Sequence, residues 1–357
     1  MSNPIFIARQ DTLDEKIIPA QLLNDYKLHG EYSFVFHTPE LWHKMCTHAY
    51  AANDQKVNGD ALEYVLTKAA PTGSYSLSNW MALLCDTAEQ AAQGLYAGIE
   101  TAGQLAQSSA AMAAVSNSET AMAAVSGSEM AMNSICSVKT ALRAFAASKP
   151  WNSTVKENDM AIAKAAVALA NSTEFSTISS CAEMAENSTA MSVLADSATA
   201  RTALTGSSYY GKYMQNDTMC IAKLAVGFAN LASVGYSSMA GVAADATAMN
   251  AVAASSTAMN AVAASTTAMD ALYARKKNMS GGSASQSGKF IILEISANNA
   301  FDTSKYGYVT LSDGSKPNWG NYLAKYAFFK QYPKYATYMR NDTDSDDYIY
   351  YFDITNP

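Results

Sequence analysis

The sequence has few charges and no sustained apolar run. Only 15% of its 357 residues are Asp, Glu, Lys or Arg, against about 25% in an ordinary soluble domain. Ser, Thr or Asn interrupts every alanine tract before the ~18 to 20 residues that a bilayer span needs, so no membrane insertion is expected. The opening MSNPIFIARQDTLDE lacks a charged region leading into an apolar core, and no secretion signal is read there. A formal charge of -7 with no Lys/Arg stripe argues against a nucleic-acid partner. The five cysteines, Cys46, Cys85, Cys136, Cys181 and Cys220, stand singly without a CxxC pair, the pattern of free buried thiols in a reducing compartment. GxSxG, HExxH and P-loop motifs are missing, as is GxGxxG in a strand-to-helix setting. No histidine follows His48. No enzyme and no cofactor are expected.

What the sequence has instead is alanine in phase. Ala-Met recurs every ten residues at Met112, Met122 and Met132, with Leu142 next, and Val115, Val125, Ile135 and Phe145 follow three residues after each. A second tract pairs Met239, Met249, Met259 and Met269 with Val242, Val252, Val262 and Leu272. Ala, Met and Leu favour helix, and the Ser, Thr, Asn and Asp that open each unit favour N-caps. Ten residues of continuous helix advance about 1000°, about 80° short of three turns, so one long helix would spiral its stripe away from any partner. The spacing therefore predicts a short helix per decad, broken and restarted at the polar pair. Such a unit cannot bury a core alone and must stack on neighbours or on other copies. Met112, Met122, Met132, Met239, Met249, Met259, Met269, Val252 and Val262 are read as the axis of a shaft, shared in a homotrimer.

A longer repeat overlies the decads. The residues around Lys164 match those around Lys223, and Asn171 matches Asn230, in both cases 59 positions apart. The middle of the chain reads as a duplication.

The ends differ in composition. Residues 1–92 hold all four histidines and normal charge, and read as a small mixed domain with a strand over 31–37 and a helix over 39–50. His43, Cys46 and His48 fit no standard zinc spacing. Ser and Gly dominate 280–288, a flexible joint by composition. Beyond it, strands are expected over 289–295, 306–311 and 348–354, a turn over 312–315, and a helix or aromatic loop over 322–335. Sixteen aromatics lie between Phe290 and Phe352. Trp319, Tyr322, Tyr326, Tyr332, Tyr335 and Tyr338 are the candidate binding surface, since rigid amphipathic rings suit sugars and proteins alike; a Tyr-rich core or trimer contact has equal standing. Asp342, Asp344 and Asp346 alternate as in a calcium loop, but Asp347 stands where that loop needs glycine, so the site is a weak candidate and no metal is assigned. Glu294, Asp302 and Asp313 supply carboxylates for a minor alternative, a depolymerase.

The units SSTAMNAVAA and STTAMDALYA resemble the decapeptide repeats of tailed-bacteriophage fibre and tail proteins, and GKFIILEISANNAFDTSKYGYVTLSDGS, ending at Ser315, is similar to small β-rich modules that close such proteins. The resemblance covers about 108–315. It implies a multidomain, fibrous α+β homotrimer: an N-terminal virion-anchoring domain (1–92), a decad shaft (93–279), a Gly/Ser joint (280–288) and a β-rich tip (289–357). The implied role is a virion structural protein, most simply a tail fibre assembled in the host cytoplasm. Its N-terminus would meet other virion proteins, and its tip a host glycan or protein. A head, neck or collar fibre and a bacterial surface adhesin are the alternatives. The family implies no catalytic residues.

Overall fold

The computed structural model describes Ile99 and residues 101–296, 307–318, 322–343 and 346–357. The N-terminal expectations, the 31–37 strand, the 39–50 helix and the His43/Cys46/His48 group, lie outside these residues. The described chain is α+β and forms two compact units. The first runs through Glu183 and takes in Gly206–Ser208; the second comprises Met184–Thr205 and Tyr209–Pro357.

The first unit opens with α1 (Ala102–Gln107), α2 (Ser109–Asn117), α3 (Glu119–Gly127), α4 (Glu129–Ser137) and α5 (Lys139–Ala146). A single extended residue separates each helix from the next. Ser118, at φ -109° and ψ 121°, shows how the break works. Its N–H donates to the Val115 carbonyl of the helix before (3.1 Å), while its Oγ accepts from the Ala121 N–H of the helix after (3.2 Å). One serine thus closes one helix and opens another, satisfying donors and acceptors that helix ends leave orphaned. Ser108 and Ser128 do the same. Val138 occupies the equivalent place before α5 and has no side-chain cap.

Nine-residue helices are marginal in isolation. Here α1 packs on α4 and α2 on α5, so each helix meets the one three units later and three decads close one turn of a coil. The Met or Leu of each unit from α2 to α5, with the Val, Ile or Phe three residues on, points into that coil. Two further helices, α6 (Asp159–Leu169) and α7 (Cys181–Glu186), follow a wider break, and α6 packs across α4.

The second unit repeats this plan with α8 (Ser188–Asp196), α9 (Ala198–Thr205), α10 (Thr218–Phe228) and α11 (Met239–Ala244). The duplication read from the sequence is preserved in the burial of its lysines and in the closing turns of its helices, with different bonding partners in the two copies. Lys164 and Lys223 are both fully buried in α6 and α10. Lys164 Nζ donates to the Phe175 carbonyl (3.0 Å) and pairs with Glu129 (3.0 Å). Lys223 Nζ donates to Ser192 Oγ (2.8 Å) and the Ser233 carbonyl (3.4 Å). Asp159 Oδ1 accepts from the Cys181 N–H (2.7 Å), and its counterpart Thr218 Oγ1 accepts from Met239 N–H (3.3 Å). Asn171 and Asn230 take φ of 60° and 59°. At Asn230 the bonds Asn230 N–H to Gly227 O and Leu231 N–H to Val226 O make a Schellman close, and Asn171 and Ser172 repeat it; asparagine tolerates this left-handed position better than most residues.

After α11 come α12 (Ala246–Ala254), α13 (Ser256–Ala264) and α14 (Thr266–Tyr273), capped by Asp245, Ser255 and Ser265. Again the first and fourth helices, α11 and α14, stack, and α10 packs against α13.

The chain then enters a sheet: β1 (Lys277–Ser280), β2 (Ala284–Ser296), β3 (Gly307–Leu311), β4 (Tyr322–Leu323), the short α15 (Ala327–Gln331), β5 (Ala336–Asn341) and β6 (Tyr348–Asp353). The order is β1-β6-β2-β5-β3, antiparallel throughout, with β4 beside the end of β2. Gly307 needs its glycine: φ is 111°, and a Cβ would stand 2.2 Å from the Arg340 carbonyl oxygen. One sheet face, with Ile291, Leu293, Phe352 and Ile354, shares a core with Met249, Met259 and Met269 of the decads. Phe290, Ile292, Val309, Met339 and Ile349 build a second core with Phe328 of α15.

Two expectations change. The 280–288 stretch is no flexible joint: it is the end of β1, a turn, and the start of β2. The backbone N–H groups of Gly281, Gly282 and Ser283 bond to the carbonyls of Asp347, Thr343 and Asn341 at 2.8, 2.8 and 3.1 Å. Composition suggested slack where pairing partners from β5 and β6 supply order. The shared axis is the second change. All nine residues of the expected axis are at 1% exposure or less within one chain, so the decads coil around their own Met and Val. No stripe remains there to hold a homotrimer.

Candidate functional site

The six aromatics proposed as one surface do not come together. Trp319 lies outside the described residues, and Tyr322 is described only as backbone in β4. Tyr326 is core, at 6% exposure, with left-handed backbone (φ 69°) just before α15. Its hydroxyl donates to Asp270 of α14, and its ring stands edge-on to Tyr273 (5.7 Å). Burial first, and then the Asp270 carboxylate, push the Tyr326 phenol up to about 12. Tyr332 packs on Phe328 (5.1 Å) beside the outer core. Tyr335 packs beside the decad-facing core, with Lys289 Nζ 5.8 Å from its ring centre.

Tyr338 is the member left on an open face. Strand alternation decides this: Met339 and Val309 turn into the outer core, which puts Tyr338, Arg340, Tyr308 and Thr310 on the opposite side of β5 and β3. Tyr308 and Tyr338 lie 5.5 Å apart at 34°. Register places Ser287 beside Tyr338 and Ser285 beside Arg340, and both serines are exposed. Lys316 Nζ sits 4.2 Å from the Tyr308 ring centre. Arg340 Nε pairs with Asp342 (2.6 Å), which raises the guanidinium above its ordinary value. Tyr308 was passed over as a site residue by the sequence reading. The available signal was parity, since the run GYVTL puts Tyr308 opposite the apolar Val309 and Leu311.

A second polar and aromatic group fastens the last decad to the sheet. The Tyr273 hydroxyl donates to Glu294 of β2, and that bond, with burial behind it, raises the phenol to about 12. Lys276 and Lys325 stand 4.1 and 4.3 Å from the Tyr273 ring centre, and Lys325 pairs with Asp270 (2.9 Å). Every polar group here already has a partner.

Carboxylates are dispersed. Glu294 is held by Tyr273, Asp313 by Lys334 (2.6 Å) and Asp342 by Arg340, while Asp302 lies outside the described residues. Asp346 is exposed and Asp344 is not described. Among the described residues no three His, Cys, Asp or Glu side chains gather as a metal cage. Burial raises the thiol of Cys136 to about 12 and pushes those of Cys181 and Cys220 well up, which suppresses the reactive thiolate. No described helix is long and apolar enough to cross a membrane. The open Tyr308/Tyr338 face is suited to adsorption, offering flat rings rimmed by hydrogen-bonding groups. No protein-family model and no curated protein matches the chain.

Proposed function

We propose that the chain is a structural component of a bacteriophage particle, a tail fibre that anchors through its N-terminal region and meets the host surface with its C-terminal sheet. The observation that supports it best is the continuity of the last decads with that sheet. Met249, Met259 and Met269 share a core with Ile291 and Phe352, so a self-stacking repeat carries a binding-type domain without a slack link. Repeat stacking suits a protein that spans distance, because each unit is stabilised by its neighbours and length can grow without a larger core. Aromatic rings rimmed by serines and a paired arginine suit reversible contact, and many weak contacts on one particle combine through avidity.

Three-chain assembly in this proposal rests on the resemblance to fibre proteins alone, since the Met/Val columns are filled within the chain. Mass photometry of the purified chain decides between one copy and three.

The deciding experiment is to attach a gold-binding tag after Pro357 and image purified particles. Label at the outer end of a projecting fibre is expected. Absence of the chain from purified particles, by mass spectrometry, would overturn the proposal. Truncation at Gly288 is a poor substitute, because it strips Ile291, Leu293 and Phe352 from the decad core.

A further inference from the structure

Taking the C-terminal sheet as the contact end, we infer that the open half-face of β5 and β3 is a binding site for a neutral polysaccharide, with Tyr308 and Tyr338 as its stacking platform. Four observations carry this. First, the two rings pack together as a tilted pair, centroids 5.5 Å apart and 34° from parallel. A tilted pair of that kind can follow successive sugar rings, whose axial C–H faces are apolar. Second, both rings are half-buried, backed by the sheet, and so lose little freedom on binding. Third, the polar groups beside them are exposed and short: Ser285 and Ser287 on β2 project on the same side, in register with Arg340 and Tyr338.

The fourth is charge, which chooses between neutral and acidic glycans. Of the cations near the platform, Arg340 is held by Asp342 and Lys334 by Asp313, each at 2.6 Å. Lys316 rests over the Tyr308 ring at 4.2 Å, and the exposed Asp346 follows Asp342 in the chain. Among the described residues an acidic polymer would meet the exposed Asp346 and no cluster of unpaired cations. A neutral, hydroxyl-rich polymer meets donors and acceptors of both kinds: the half-exposed Arg340 guanidinium offers N–H donors, and the exposed Ser285 and Ser287 hydroxyls both donate and accept.

The test is affinity electrophoresis of the full chain through gels containing dextran, mannan or galactan, with polygalacturonate and heparin as acidic arms. Retardation by at least one neutral polymer is expected, weakened about two- to tenfold by Tyr338→Ala or Tyr308→Ala and retained by Tyr338→Phe, which keeps the ring. Melting curves of each variant separate a lost contact from a lost fold. Retardation only by the acidic polymers, or by none, would sink the inference, as would neutral binding indifferent to both alanine variants. The fibre proposal stands apart: a chain at the particle's distal end that ignores neutral polymers fails here alone, while a polymer-binding chain absent from particles fails there alone.

Discussion

Gly227 of α10 and Ala195 of α8 meet backbone to backbone: a Cβ on the glycine would stand 2.1 Å from the Ala195 carbonyl oxygen. The same carbonyl, near the end of α8, accepts from the Arg201 guanidinium, which also lies 5.4 Å from the Phe228 ring centre. The contact is therefore clamped from two sides and cannot widen cheaply. Gly227→Ala is expected to cost about 1–3 kcal/mol, the usual range for an overfilled interior. Gly241→Ala is the control. Its nearest neighbour is Ser238 Oγ at 3.6 Å, and helix propensity alone predicts a gain of up to about 1 kcal/mol. Urea denaturation of the two variants should move in opposite directions.

The shared caps predict a graded cost. Ser265→Ala removes the acceptor of the Ala268 N–H bond (3.1 Å) and should cost about 1 kcal/mol, while Ser265→Gly should cost a few tenths. Ser255→Ala should cost more than Ser265→Ala, because Ser255 Oγ also donates to the Phe228 carbonyl (3.0 Å). Thermal melts in one buffer rank the three.

Lys223 predicts an inversion. Burial holds its ammonium below the ordinary value of 10.5, with Asp196 acting the other way. A lysine depressed in the folded state weighs against folding at neutral pH, and that weight lifts as pH rises through the folded value toward 10.5. Lys223→Met should accordingly be neutral or stabilising at pH 7. Ser192→Ala, which leaves the buried ammonium short of an acceptor, should cost about 1–3 kcal/mol. Equal losses from both changes would refute this account.

Asp245 sets an acid limb. Its carboxylate accepts from the Tyr236 hydroxyl (2.7 Å) and from the Ala248 and Thr247 N–H groups, and is held below the ordinary 3.8, the tyrosine bond contributing most. A depressed carboxylate adds stability that is full above its unfolded value of about 3.9 and is lost as pH falls through the folded value. Asp245→Asn should thus lower stability at pH 7 and converge with the parent chain as pH falls through the folded value of the carboxylate. Parallel curves across that range would show that the carboxylate does not contribute in this way.

Met259 discriminates a self-filled coil from a shared axis. Met259→Asp buries an unpaired carboxylate within one chain, and the loss should exceed about 3 kcal/mol at every protein concentration. A loss that shrinks as concentration rises would point to a contact between chains.

The decads were legible because local chemistry decides them. A polar cap every ten residues, with Met and Val three apart, fixes both the break and the buried side. That the helices then pack on the third neighbour was not legible. It depends on the φ and ψ of residues such as Ser118, which propensity does not encode, and so the expected partner for the Met column was another chain. The duplication around Lys164 and Lys223 was visible in sequence, but not that both lysines are buried against loop carbonyls. In the sheet, β2, β3 and β6 followed from β-branched and aromatic alternation. β5 was missed because Tyr338 was assigned to a binding surface and no alternation was read over 336–341, and β1 because its residues were divided between the decad shaft and the Ser/Gly stretch. Tyr326 was assigned to a surface on residue type alone, where only a left-handed backbone and the approach of Asp270 turn it inward.

The serine that ends one helix and begins the next has a consequence for how such a gene can change. Most decads carry their own capping side chain, so an in-frame copy of one unit brings its own helix start and stop. Because three units complete one turn, adding or losing a single unit swings everything downstream by a third of a revolution, whereas a gain or loss of three preserves heading. Natural length variants of this tract should therefore be favoured in multiples of three, a ratchet written into the spacing of one hydroxyl group.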